Sequence, residues 1–276
     1  MPINYLKQIQ LGDFDADGYR ISPSVALKSI IEGFYEFTRD VKDNQHLIFN
    51  DGFPVIVFLE KAGDIVQVTK EDGTYPVQSA WASAGSIKNV HVQYNNSTTK
   101  LFIVRFHPGA FYKLFGLSAS FFRKNPVASF GEIAKTNDFD LPGFYEHQVL
   151  AEKISFIENY VQHAYEHLPV DGSLNITLDH IHESKGNSTV KSILENVGVN
   201  YKWLERNFVK NIGLLPKEYI QLQRFKHAYL DLVDTSDINL LRIAISYGYY
   251  DTNHFMKDFK GYTGKTPLEY LKSQAI

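Results

Sequence analysis

A chain of 276 residues holds one large domain or two ordinary ones, and hydrophobic residues at 44% with charged residues at 21% exclude a disordered protein. The counts of 18 Gly and 10 Pro exclude a collagen-like or low-complexity chain, and zero cysteine excludes a disulfide framework, a Cys-type zinc finger, an iron–sulfur site and a thiol nucleophile. The net charge of −3 hides an asymmetry: 15 basic residues stand against 20 acidic over 1–174, but 13 against 11 over 175–276, which hints at a basic C-terminal surface.

The start, Met1-Pro-Ile-Asn-Tyr-Leu-Lys7, lacks the apolar stretch and small-residue cleavage site of a secretory signal. No run of 18 apolar residues occurs anywhere, so no membrane span and a cytoplasmic location are expected. Residues 45–106 read as strands and turns. Val55-Ile-Val-Phe-Leu59 is a continuous β-branched run, Ile65–Thr69 follows, and Glu71-Asp-Gly-Thr74 is a turn signal. Asn89–Tyr94 alternates apolar with polar residues, Asn95–Thr98 turns, and Lys100–Phe106 is a further strand. This spacing predicts an antiparallel sandwich or small barrel. A short helix is expected over Ala110–Phe115. From about 144 to 168 the period becomes helical, with Leu150, Ile154, Ile157, Val161 and Tyr165 on one face. That face packs either on its own barrel or on a twin in a homodimer. Pro169-Val-Asp-Gly172 stops the helix, and a domain boundary is placed there.

The last hundred residues contain an internal repeat. Gly198 and Gly248 lie 50 apart; Leu204 and Phe255, Phe208 and Phe259, Gly213 and Gly264, and Pro216 and Pro267 each lie 51 apart. Each copy opens on a polar cap, Thr189 or Asn239, and continues as a short apolar helix through Ile193-Leu194 or Ile243-Ala244. It turns at Gly198 or Gly248, where a helix end needs positive φ, and runs on as a second helix. Helix, glycine turn, helix is the helix-turn-helix plan. The second helix turns its apolar stripe inward and leaves its other face free. In the first copy that face offers Tyr201, Lys202, Glu205 and Arg206; in the second it offers Asp251, Thr252, Asn253, Met256 and Lys257. Arg and Lys suit guanine, Asn pairs with adenine, and Glu accepts from cytosine. Lys210 and Lys260, a turn further on, suit phosphates. A single such pair is equally a plain helical hairpin with a solvated face; two copies in register favour the DNA-reading plan.

The stretch Ile243-Ala244, Gly248-Tyr249, Asn253-His-Phe255, Phe259-Lys260, Gly264 and Thr266-Pro267-x-x-Tyr270 resembles the C-terminal signature of the AraC/XylS family of transcription regulators. The first copy matches more loosely, ending in Gly213-Leu-Leu-Pro-Lys-Glu-Tyr219, and Tyr219–Ala228, with Arg224, resembles the family's long linker helix. Position 194 departs from the pattern, being Leu where the family usually has Ala. The resemblance covers about residues 175–272. It implies two subdomains (about 189–212 and 239–263) joined by a helix over 216–233, each placing one helix in successive major grooves of double-stranded DNA about 34 Å apart. Carried over by position, the base-contacting places are Lys202, Glu205, Arg206, Thr252, Asn253, Met256 and Lys257; Met256 would make an apolar contact. Tyr201, Lys210 and Lys260 are assigned to phosphates.

Family regulators usually carry a sensing or dimerising domain first, often a cupin-like barrel. Asn50-Asp-Gly-Phe-Pro-Val-Ile-Val-Phe58 and Val104-Arg-Phe-His-Pro-Gly-Ala-Phe-Tyr-Lys-Leu-Phe115 resemble one such domain type of uncharacterised ligand. A barrel of this kind holds one small ligand. Candidate lining residues are Trp81, Tyr94, Phe106 and Phe111, with Arg105 or His107 as polar anchor; on the plainer reading the aromatics are core and Arg105 is a surface strand residue.

A cupin metal site needs two or three His with a carboxylate on adjacent strands. His46, His91 and His107 form no close pair. His180-Ile-His182 sits in an expected helix where such neighbours point apart, and His163 with His167 shares a helix face that reads as solvated. No metal or other cofactor is expected.

The expected fold is therefore α+β: a cupin-like effector or dimerisation domain over 1–170 and an all-α DNA-binding domain over 171–276. The expected function is a sequence-specific, non-enzymatic transcription regulator. By family behaviour it is an activator that meets RNA polymerase and answers to a small molecule or to dimerisation. The rival readings are a metal-dependent cupin enzyme with a helical appendage and an oligomerising module that no longer reads DNA.

Overall fold

The computed structural model describes residues 1–11, 18–42, 44–95, 98–118, 120–165, 172–235 and 237–274. The boundary expected at Pro169-Val170-Asp171 lies outside the described residues, as do His167 and, in the 95–98 turn, Asn96 and Ser97. The chain divides into two compact units: residues 1–85, 90–170 and 210–213 form the first, and residues 86–89, 171–209 and 214–276 the second.

Among the described residues the first unit holds ten strands. They are β1 (Gly18–Ile21), β2 (Ile31–Thr38), β3 (Gln45–Ile48), β4 (Val55–Leu59), β5 (Ile65–Lys70), β6 (Gly73–Gln78), β7 (Ala80–Ser83), β8 (Val90–Gln93), β9 (Lys100–Phe106) and β10 (Val127–Ser129). They form a six-stranded sheet, β1-β2-β9-β4-β7-β10, and a four-stranded sheet, β3-β8-β5-β6, rather than one closed barrel. Every pairing is antiparallel.

Helices α1 (Asn4–Leu11), α2 (Phe111–Leu114), α3 (Phe121–Lys124), α4 (Phe130–Lys135), α5 (Leu141–Glu146) and α6 (Leu150–Tyr165) complete the unit. Strand alternation divides β4: Ile56 and Phe58 enter one apolar cluster with Phe111, Phe130 and Phe144, while Val55, Val57 and Leu59 turn to the opposite face. Burial on both faces explains why β4 reads as an unbroken apolar run.

The helical period expected over 144–168 is two helices. At His147 the backbone is extended (φ −74°, ψ 124°), so α5 ends there and α6 begins three residues later. The stripe Ile154, Ile157 and Val161 joins the unit's own apolar cluster, so this face is not open to a twin.

The second unit contains α7 (Gly172–Glu183), α8 (Val190–Val197), α9 (Tyr201–Ile212, whose last residues group with the first unit), α10 (Pro216–Asp234), α11 (Leu240–Ser246), α12 (Thr252–Thr263) and α13 (Pro267–Gln274). The long α10 is its axis. The Tyr219 ring meets Phe208 of α9 edge-on at 5.7 Å, and the Phe225 ring stacks on Tyr262 of α12 at 4.2 Å. Among the described residues no helix is long and apolar enough to cross a membrane.

Candidate nucleic-acid interface

Each copy of the repeat is built by its own caps. Thr189 Oγ1 accepts from Ser192 N at 3.0 Å while Ser192 Oγ accepts from Thr189 N at 3.1 Å, a reciprocal box that satisfies two of the donors α8 leaves open. Gly198 then takes φ 71°, which a side chain would resist, and its N–H donates to Leu194 O at 3.0 Å. Asn200 Oδ1 accepts from Trp203 N at 2.9 Å and starts α9. In the second copy Asn239 Oδ1 accepts from Arg242 N at 2.9 Å, Gly248 takes φ 70°, and Asp251 Oδ1 accepts from His254 N at 2.7 Å to open α12. Two short hydrogen-bonded helices thus set the direction of two longer ones.

The long helices sort their side chains by face. On α9, Leu204, Phe208, Asn211 and Ile212 are buried; Tyr201, Lys202, Arg206 and Lys210 are exposed, and Glu205 is half-buried. A hydrogen bond from Tyr201 to Glu205 pushes the phenol's pKa up. On α12, Phe255, Phe259 and Tyr262 are buried; Asn253, Lys257 and Lys260 are exposed, and Thr252 and Met256 are half-buried. All ten side chains singled out from the sequence therefore lie away from the core on these two helices. The departure at position 194 also has a visible consequence: Ala244 is wholly buried where Leu194 is half-buried, so the larger residue stands at the edge of the α8 contact.

Behind α12, burial raises the Asp258 carboxyl pKa, although the Tyr249 hydroxyl donates to its Oδ2 at 2.9 Å. Arg224 of α10 lies over the Tyr249 ring at 5.6 Å. Lys217 and Gln221 precede Arg224 along α10 by steps of four and three, and His254 lies in the first turn of α12.

Of the candidate residues of the first unit, Phe106 and Phe111 belong to the helix-side apolar cluster, which Trp81, Tyr94 and Arg105 do not enter. Trp81 and Phe111 are fully buried, Phe111 in the helix-side cluster, and Tyr94 is buried beside Trp81 and edge-on to His46 at 5.3 Å. Phe106 joins Phe111 at 5.2 Å.

Arg105 is not a surface residue: it is 2% exposed. Its Nη1 lies 2.9 Å from Glu32 Oε2, its Nη2 pairs with Asp51, and its guanidinium stacks over Phe53 at 4.0 Å. Burial by itself would lower the Arg105 pKa, but Asp51 and Glu32 outweigh it and hold the cation charged. Tyr35, which donates to Glu32 Oε2 at 2.7 Å, has its phenol pushed up to about 12 by burial and by that carboxylate. Half-buried His107 meets the Phe53 ring at 5.8 Å. The two sequence motifs of this unit therefore meet through Asp51 and Arg105. Asp51 and Arg105 each stand inside a quoted motif, but their pairing across 54 residues has no local signal in the sequence. Among the described residues no three His, Asp or Glu side chains gather as a metal site.

Residues 193–273 match a family described as a helix-turn-helix domain, and residues 19–128 match a domain of unknown function, DUF6597. The Msm operon regulatory protein of Streptococcus mutans is 25% identical over 270 residues, 92% of this chain and 88% of that protein. An uncharacterized HTH-type transcriptional regulator of Staphylococcus aureus is 26% identical over 138 residues, 48% of this chain and 18% of that much longer protein. Among solved structures, ToxT of Vibrio cholerae aligns over 92% of this chain and 95% of its own at 16% identity and a TM-score of 0.45. The C-terminal domain of the response regulator yesN of Fusobacterium nucleatum aligns over 36% of this chain and 98% of its own, at 26% identity and a TM-score of 0.34.

Proposed function

We propose, for a chain that is a DNA-binding transcription regulator of the AraC type, that α9 and α12 enter successive major grooves on one face of its operator. Lys202, Glu205 and Arg206 read the first groove; Thr252, Asn253, Met256 and Lys257 read the second, with Met256 against an apolar base edge such as a thymine methyl. Tyr201, Lys210 and Lys260 hold the flanking phosphates. The observation that carries this reading is the repeated cap, left-handed glycine and half-buried helix, each copy anchored on α10 and each leaving a polar face uncovered.

The first unit is proposed as the control domain, acting through a small-molecule effector or a homodimer, and the whole as a cytoplasmic activator that contacts RNA polymerase. Arg105 is already neutralised by two carboxylates. An anionic effector would have to displace Asp51 or Glu32 to reach it; Trp81, Tyr94, His107 and Phe111 are the proposed remaining lining. The test is a footprint on the DNA upstream of the chain's own gene. Protection of two segments one duplex turn apart, weakened steeply by salt, is expected; salt-insensitive binding or none would overturn the proposal.

A further inference from the structure

The second unit contains a cavity of about 210 Å³ walled by Lys217, Ile220, Gln221 and Arg224 of α10 and by His254 of α12. Lys217, Gln221 and Arg224 follow steps of four and three, so they project from one side of the helix. Two walls of this pocket are basic side chains, a third is an imidazole, and a fourth is an amide with two N–H donors. Among the described residues no carboxylate lines it.

The carboxylates nearby are turned to other work. Glu218 Oε2 accepts from Leu215 N at 2.7 Å at the start of α10, Asp251 caps α12 through His254 N, and Asp258 accepts from the Tyr249 hydroxyl. Arg224 is only weakly engaged: its Nη2 reaches Gly186 O at 3.4 Å, and its guanidinium lies over the Tyr249 ring at 5.6 Å. The space takes several waters, or one partly hydrated tetrahedral anion.

We propose that this pocket receives one backbone phosphate of the DNA strand that borders the groove entered by α12. The assignment rests on the reading of α12 given above. His254 adjoins Asn253 in the chain and lies one helical turn before Lys257, so the pocket opens at the margin of the base-reading face. A phosphate held there bridges α10 and α12. It fixes the register of the duplex against the helix that also carries α9, without reading sequence. Lys217 supplies charge, Gln221 an amide donor, and Arg224 a second basic group.

The experiment measures affinity of the full chain for a specific and a random duplex from 50 to 200 mM salt, with Lys217→Ala, Gln221→Ala and the double variant. Thermal melting of each checks the fold. Loss of one phosphate contact lowers the salt slope by about 0.9, so the affinity lost across that range shrinks about three- to fourfold. The double variant should show this equally on both duplexes, with base discrimination and melting unchanged. An unaltered slope in a wild-type-like fold would overturn the pocket assignment. Absence of wild-type binding to any duplex would instead overturn the DNA-reading assignment on which it rests. Inorganic phosphate is titrated in parallel by NMR, following the His254 ring and the Arg224 Nε–H. Saturable shifts with no change in the double variant's salt slope would assign the pocket to a free phosphate group and refute the backbone contact.

Discussion

Replacing Asn253 by Ala isolates base reading from folding. Asn253 is exposed on α12, and the helix start is held by Asp251 through His254 N at 2.7 Å, so the amide is not needed as a cap. The neighbouring Phe255 and Phe259 are fully buried and keep the helix seated when the side chain beside them is trimmed. What the substitution removes is one amide able to pair with adenine in two places, worth about 1–3 kcal/mol of discrimination, or roughly 5- to 150-fold at one base pair. The assay is competition binding against operators substituted one base pair at a time. Asn253→Ala should lose preference at a single position and keep its affinity for random duplex within about twofold, because surface substitutions away from structural features are close to neutral. Lys260→Ala, on the same helix, should weaken every sequence alike and flatten the salt slope by about 0.9. Equal losses by Asn253→Ala on specific and random DNA, or a fallen melting temperature, would refute the separation of roles.

Arg105→Met should cost about 3–5 kcal/mol in urea unfolding, because it leaves Asp51 buried without its cation while half-buried Glu32 keeps Arg20 at 3.5 Å; an effect within 1 kcal/mol would show that the cluster is solvated. Gly264→Ala forces a side chain into φ 77° at the end of α12 and should cost about 1–2 kcal/mol in the same measurement; no loss would mean the turn can rearrange. The hydrogen bond from Arg242 holds the Asp231 carboxyl below its ordinary range. A lowered folded-state value gives stability that is complete above the unfolded-state value and lost as pH falls through the folded one, so acid unfolding curves of Asp231→Asn should lack that part of the decline. An unchanged acid dependence in Asp231→Asn would count against the pair.

The helical half was legible because its signals are local. Caps, glycines and apolar steps within fifty residues placed α8, α9, α11 and α12, and the linker read as 216–233 is α10 over Pro216–Asp234. The sheet half was legible only where strands are apolar or alternating: β4, β5, β8 and β9 were read. β2 was missed, because Glu32, Gly33 and Glu36 interrupt its apolar residues. Those interruptions are structural. Glu32 pairs with Arg105, and Gly33 sits at an irregularity in the β2–β9 register, where a Cβ would lie 3.1 Å from the Tyr35 ring. The cluster around Arg105 stayed hidden for the same reason, since its members are up to 73 residues apart and only the folded sheet brings them together.

The role of α10 follows from what it touches. Tyr219 contacts Phe208 at 5.7 Å and accepts or donates to His182 Nε2 at 2.7 Å, while Phe225 lies 5.6 Å from Phe259 and 4.2 Å from Tyr262. Side chains one to two turns apart on one helix therefore support both α9 and α12. Cores of this kind are close-packed, so a change of volume at either ring is transmitted rather than absorbed. The relative pose of α9 and α12 is then a property of the α10 surface, not of the loops between them. Apolar substitutions there should alter operator affinity without touching a single residue of the reading faces.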